Sequence, residues 1–440
     1  MVEIVVLLAL GYGMVITFMV LIMTKRMAAL VALALVPIAF GLIAASPDSI
    51  GKMMIDGVTK LAPTGVMLTF GILYFSIMTD AGLFDPLVKC IVRFVKGDPL
   101  KLLVGTAVMS TAVALDGDGA TTYVICAAAL LPIYKRLGVK LQYMATVLLM
   151  SIGIMNIVPW GGPTARAAAA MHVDVAEVFI PLIPAMLVGL AYQIAVAAIF
   201  GLRERRRLGV LSCPTEVSNI MAVAQVPSET RRPTLMAPNL LLTGVLLYCL
   251  IKGVLPLPVL FLVATALALM LNYPKLKDQQ ERIASHASNV LAVVSLIFAA
   301  GIFTGILSGT GMLDAMSNSL LNVMPAWMGP YIAPATALLS APATYALLSN
   351  DAFYFGVLPI LANTASAYGI TPAEMARASL LGQPIHLLSP LVASTYLLVA
   401  LLDINYGDNQ KASLLWVFGM VLAMIGGALL FGVIPFVSNL

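Results

Sequence analysis

The sequence predicts an all-α polytopic membrane protein, an inverted-repeat transporter with two re-entrant helical hairpins and two broken transmembrane helices. Three observations predict it. Of the 440 residues, 61% are hydrophobic and only 10% charged, against about 25% charged in a soluble domain. Two polar stretches, Leu115-Asp116-Gly117-Asp118-Gly119-Ala120-Thr121-Thr122 and Leu348-Ser349-Asn350-Asp351-Ala352-Phe353, each lie between apolar runs too short to cross a bilayer alone. The two occur at matching places in the two halves. Ionisable groups at membrane depth are costly and by default mark a substrate or ion site.

A full crossing takes about 20 apolar residues. Runs of that order lie near 2–24, 28–46, 62–79, 141–171, 177–201, 234–251, 254–272, 287–308, 373–402 and 412–437, ten spans in all. The first is long enough to span and has Glu3 where a signal peptide is basic, so it is read as a retained helix. The runs at 141–171 and 373–402 are overlong and broken inside, by Pro159-Trp160-Gly161-Gly162-Pro163 and by Gly382-Gln383-Pro384 with Ser389-Pro390. Amphipathic pieces at 83–97 and 311–326 precede two pairs of short half-helices, 98–114 with 120–133 and 331–347 with 352–364. Such pairs read as re-entrant hairpins, because irregular backbone at membrane depth is tolerated only against protein or a wet cavity.

Lysine and arginine set the orientation. Lys25, Arg26, Lys89, Arg93, Lys96, Lys101, Lys135, Arg136, Lys140, the cluster from Arg203 to Arg207, Arg231, Arg232, Lys275, Lys277 and Arg282 fall on one side, which the positive-inside rule makes cytoplasmic. No lysine or arginine occurs between Arg282 and Arg377. The first hairpin therefore enters from the cytoplasm and the second from outside, and both termini come out external. That opposition is the mark of an inverted repeat, with halves at 1–201 and 234–440 joined by a basic cytoplasmic linker at 202–233. Gly138-Val139 and Met144-Ala145 align at one constant offset with Gly369-Ile370 and Met375-Ala376, as do Pro159 with Pro390 and Thr164 with Thr395. The net charge of +4 is small and sits in loops, so it reports orientation and not a nucleic-acid partner. Cys90, Cys126, Cys213 and Cys249 stand far apart and read as small apolar residues.

Four elements are expected to meet near the membrane centre, the two hairpin tips and the two helix breaks. Ala120-Thr121-Thr122 and Asp351-Ala352-Phe353 begin the second half-helices, whose free N–H groups and positive dipole ends suit an anion. The breaks at Gly161-Gly162-Pro163 and Gly382-Gln383-Pro384 free carbonyls for a cation. Asp118 and Ser349 serve equally as N-caps, a role compatible with ligand contact. Asp116 is harder to read as a cap, since two acids stand where one suffices. Arg166 reads as a carboxylate fork or as an arginine snorkelling to the outer interface. His386 reads as a core histidine or a proton carrier, and His172 and His286 as solvent-facing loop residues. Gln383, Ser389 and Thr395 are neutral donors near the second break.

The two tip sequences together with Pro159-Trp160-Gly161-Gly162-Pro163-Thr164-Ala165-Arg166-Ala167 and Gly382-Gln383-Pro384-Ile385-His386-Leu387-Leu388-Ser389-Pro390-Leu391-Val392 closely resemble the citrate–metal:proton symporter (CitMHS) family. The resemblance spans most of the chain. It implies symport of protons with citrate, or a related tricarboxylate, complexed to a divalent cation of the Mg²⁺ or Ca²⁺ type. It also implies a homodimer in the cell (inner) membrane working by an elevator mechanism, and no prosthetic group. On that reading Thr121, Thr122, Gly161, Gly162, Thr164, Arg166, Ser349, Asn350, Gln383, Ser389 and Thr395 bind the substrate. Asp116, Asp118, Asp351 and His386 handle the metal or the proton.

Charge supports a metal-complexed cargo. Citrate alone is nearly a trianion, and two like charges at about 4 Å and an effective dielectric near 20 repel by about 4 kcal/mol. A bound divalent cation leaves roughly one net negative charge, and aspartates then complete the oxygen shell it prefers. Two other readings compete. One is a proton- or Na⁺-coupled carrier of free di- or tricarboxylate, distinguished by its indifference to divalent cations. The other is an intramembrane aspartyl hydrolase, which needs a second catalytic helix motif beyond Asp116 and Asp118.

Overall fold

Every regular element described is helical. The computed structural model describes residues 2–95, 97–117, 119–210 and 230–438; Asp118, Cys213 and most of the expected linker lie outside them. In chain order the first half holds α1 (Val2–Met23), α2 (Ala29–Ala44), α3 (Pro47–Ala81), α4 (Asp85–Val95), α5 (Pro99–Val113), α6 (Gly119–Leu137), α7 (Leu141–Met155), α8 (Gly162–Met171) and α9 (Val175–Leu208). The second half holds α10 (Met236–Lys252), α11 (Leu257–Asn272), α12 (Leu276–Gly309), α13 (Met312–Val323), α14 (Ile332–Pro342), α15 (Leu358–Ser366), α16 (Pro372–Leu380), α17 (Gln383–His386), α18 (Ala393–Leu402) and α19 (Tyr406–Leu430).

Local chemistry sets many of the boundaries. Asp98 accepts from the Leu100 amide at 3.0 Å and Pro99 opens α5. Asp174 caps α9 through the Ala176 amide at 2.7 Å, and α9 ends in Arg205, Arg206 and Arg207, where the helix dipole favours cations. Thr371 and Glu374 form a reciprocal capping box at α16.

Two helices outrun the apolar spans expected of them. The run at 62–79 is the far half of a 35-residue α3, and the run at 287–308 is the far part of a 34-residue α12. Their first halves carry Lys52, Asp56 and Lys60, and Lys277, Asp278, Glu281 and Arg282. Over these charged stretches mean hydropathy gives no signal of a continuing helix. One consequence is a correction: His286 lies within α12, not in a loop, and is mostly buried.

The helices pack in two groups. In one, α3 and α12 form a central pair flanked by α2 and α11. Its seam is made of glycine: a methyl group at Gly57 would overlap the Gly301 carbonyl, and one at Gly305 would overlap the Met53 carbonyl. Gly301, Gly305 and Gly309 repeat every fourth residue, the spacing that lets membrane helices approach closely. In the other group α5, α7, α9 and α19 pack around one another. Hydroxyls and amides join them, including Thr146 to Ser413 at 2.8 Å and Gln193 to Ser151. Among the described residues seven helices are long and apolar enough to cross a membrane. Large apolar side chains such as Leu241, Met270 and Leu415 point outward from α10, α11 and α19. That polarity is suited to a lipid surround.

Candidate functional site

The first tip is a tight reversal. After α5 the chain makes one 3-10 turn over Ala114–Asp116, and Gly117 adopts φ +77° before α6 begins at Gly119. A side chain at Gly117 would be strained by that angle, and its Cβ would press within 3.1 Å of the Trp160 ring. Trp160 pins this tip from the first break: its Nε1–H donates to the Leu115 carbonyl at 2.7 Å. The indole stacks on Phe75 of α3 at 4.5 Å and meets Phe261 of α11 edge-on at 5.1 Å.

The first break runs from Asn156 to Gly161. Gly161 has no space for a side chain, because a Cβ there would collide with the Asn156 carbonyl. The buried Thr164 hydroxyl donates back to Ile157 at 2.8 Å, so it closes the break. Arg166, one turn into α8, donates from Nε to Asp351 Oδ1 at 2.7 Å, with both side chains about five-sixths buried. It therefore does not snorkel to the outer interface. The pair ties the first break to the second tip.

The second tip has a wider backbone, with π-helical turns at Ala343–Leu347 and Ala352–Val357 on either side of it. Ser349 acts as a cap, its Oγ accepting from the Ala352 amide at 3.2 Å. Asn350 and Gln383 exchange amide hydrogen bonds, the closer at 3.1 Å, and Gln383 also donates to the Tyr354 hydroxyl at 2.7 Å. His386 is buried with Nδ1 2.8 Å from the Thr344 carbonyl. A carbonyl only accepts, so Nδ1 carries the hydrogen and Nε2 is the other polar atom. Ser389 accepts from the Leu391 amide and Thr395 donates to the Leu387 carbonyl, so both close the second break.

The four expected elements do converge. Trp160 joins the first tip to the first break, Arg166 and Asp351 join that break to the second tip, and Asn350 and Gln383 join the second tip to the second break. The helix that leads into the first break touches the second break where Gly153 of α7 meets Pro384, at a distance that leaves no room for a methyl group. Not every expected residue faces open space. Thr122 is fully buried, and its hydroxyl finds no partner among the described residues.

A cavity of about 590 Å³ opens beside the first tip. Asp116, Gly117, Ala120 and Thr121 form one wall, with Trp160 and Gly162 beside them. The lining also includes Ser76, Thr79 and Asp80 of α3 and His286 and Asn289 of α12. Asp80 Oδ2 accepts from Arg282 Nη1 at 3.1 Å and lies 2.8 Å from His286 Nε2. Asp80, Arg282 and His286 had no place in the sequence-based site. Their signal was spacing: Arg282, His286 and Asn289 fall three and four residues apart, on one face of a helix. Among the described residues no group of three or more His, Cys, Asp or Glu side chains forms a metal cage. The oxygen-bearing side chains that line the cavity with Asp116 are Ser76, Thr79, Asp80, Thr121 and Asn289.

The chain is similar along most of its length to known transporters. A family described as "Citrate transporter" matches residues 18–382. A citrate transporter of Bacillus subtilis (strain 168) is 56% identical over 427 residues, covering 97% of this chain and 99% of that protein. The Mg(2+)/citrate complex secondary transporter of the same organism is 51% identical, covering 97% of this chain and 98% of its own. The crystal structure of the Alcanivorax borkumensis YdaH transporter shares the fold, with TM-score 0.61 at 13% identity over 86% of each chain.

Proposed function

The chain belongs to the citrate transporter family CitMHS, a family of multi-pass membrane transporters and not of enzymes, and from that membership we propose that it carries citrate as a complex with a divalent cation, of the Mg²⁺ or Ca²⁺ type, in symport with protons. The observation that carries this reading is the cavity with Asp116 on one wall. A carboxylate beside a tight tip attracts a cation and repels a bare trianion. Of the relatives, one is named for the Mg(2+)/citrate complex, which supports the same cargo.

The proposal extends to mechanism. Repeats at 1–201 and 234–440 insert in opposite senses, with ten spans, both termini external and the linker at 202–233 cytoplasmic. The group built on α3 and α12 is a scaffold that pairs with a second copy in the cell membrane, and the group bearing both tips moves against it as an elevator. The contrast between the glycine seam and the separate packing of α5, α7, α9 and α19 supports this division. Single cysteines placed along 98–114 and 331–347 should label from opposite faces of the membrane. Labelling from the same face would overturn the inverted repeat.

The cargo is tested by chelation. Titrating EDTA at fixed citrate should remove binding and uptake together, and added Mg²⁺ or Ca²⁺ should restore both. Citrate binding that is unchanged or tighter in chelator would rule out the metal complex and favour transport of the free carboxylate.

A further inference from the structure

The two sides of the cavity differ in how their carboxylates are held. Asp116 sits on the tip side, whereas the α3/α12 side presents Ser76, Thr79, His286 and Asn289 together with Asp80, whose carboxylate is paired with Arg282 and His286. A metal–carboxylate complex also has two unlike ends, a cationic end at the metal and an anionic, hydroxylated end at its outer oxygens. We propose that the α3/α12 wall is a recognition surface for the outer oxygens of a hydroxycarboxylate–metal complex. His286 and Asn289 are its contacting residues, and Asp80 is the positioning residue that holds the imidazole. The proposal rests on the metal-citrate reading of the same cavity and adds to it the residues that select the organic part of the cargo.

The geometry of His286 carries the argument. An ionised carboxylate only accepts, so the 2.8 Å contact with Asp80 makes Nε2 the donor and leaves Nδ1 as the ring's remaining polar atom. Asp80 is fixed in turn by Arg282 at 3.1 Å, so the imidazole is held by a carboxylate that is itself anchored. Nδ1 of a neutral imidazole accepts from a hydroxyl, and in the protonated ring it donates to a carboxylate. Asn289 lies one turn further along α12 on the same cavity wall and carries both an amide donor and a carbonyl acceptor. Donors and acceptors fixed on a helix are suited to telling a hydroxylated tricarboxylate from one without the hydroxyl. A site whose polar groups are left unpaired rejects the analogue lacking the matching group.

The test uses calorimetry on the purified full-length protein with Mg²⁺-citrate and with Mg²⁺-tricarballylate, which has the same three carboxylates and no hydroxyl. His286→Gln and Asn289→Ala should each weaken Mg²⁺-citrate binding about tenfold, the size of one lost hydrogen bond to a charged group. The preference of the wild type for citrate over tricarballylate should shrink in both variants. Asn289→Ala leaves the Asp80–Arg282–His286 contacts untouched, so it keeps the test clear of misfolding. Unchanged binding in both variants, or equal loss for the two cargoes, would overturn the proposal. A wild type that binds citrate only in chelator would instead refute the metal-citrate reading. The two variants could then be compared on free citrate.

Discussion

Asp351→Asn is expected to abolish uptake of Mg²⁺-citrate and to lower the yield of folded protein. The change strands Arg166, whose Nε lies 2.7 Å from the Asp351 carboxylate in a place only about one-sixth exposed. Removing one partner of a buried ion pair costs about 3–5 kcal/mol, because the remaining charge keeps its desolvation penalty and loses its compensation. Against a total stability of about 5–15 kcal/mol that is a large loss. Arg166→Gln should do the same from the other side. The double variant, which removes both charges, should recover folded protein as judged by size-exclusion profile, yet remain inactive in proteoliposome uptake. Recovery of fold without transport separates the structural share of the pair from its share in the site. Near-normal uptake in both single variants would mean that the link between the first break and the second tip is dispensable.

Asp116→Asn is expected to remove metal-dependent uptake while leaving the fold intact. The amide has the shape of the carboxylate, so packing at the tip is preserved while the charge and one acceptor oxygen are lost. A unit charge about 4 Å from another, at an effective dielectric near 20, contributes about 4 kcal/mol, and a divalent ion doubles the interaction before solvent and ligand offset it. Uptake at limiting Mg²⁺ should fall at least about a hundredfold, by the rule that each 1.4 kcal/mol is tenfold. The measurement is initial uptake against Mg²⁺ concentration at fixed citrate. A variant whose Mg²⁺ curve overlays the wild type would show that Asp116 takes no part in cation binding.

How far the sequence could be read differs by element. The tips and breaks were legible because polar and helix-breaking residues stand out in an apolar chain: Gly117, Gly161 and Gly382 mark turns where the structure has them. Their convergence was also legible, as Arg166 with Asp351 and Asn350 with Gln383 confirm in geometry. The cavity's second wall was not. Asp80 and His286 sit where α3 and α12 pass from apolar to polar sequence, and hydropathy treats such residues as the edge of a span. Only the tertiary approach of α3 and α12, set by small residues, brings them into one cavity with the first tip. Thr164 and Thr395 show the converse. Each hydroxyl closes a helix break on a backbone carbonyl, a role that spacing alone does not separate from ligand contact.

The lodging of Trp160 has an optical consequence. Of three tryptophans in the chain, Trp327 is 71% exposed and Trp416 lies beneath the Arg203 guanidinium. Trp160 alone is enclosed between aromatic rings of α3 and α11 while bonded to the tip. If the tip parts from those helices during the transport cycle, the indole loses its aromatic neighbours and meets water, and its emission shifts to the red. The molecule thus carries an intrinsic fluorophore at the boundary between its two packing groups, and its motions are open to spectroscopy without an attached label.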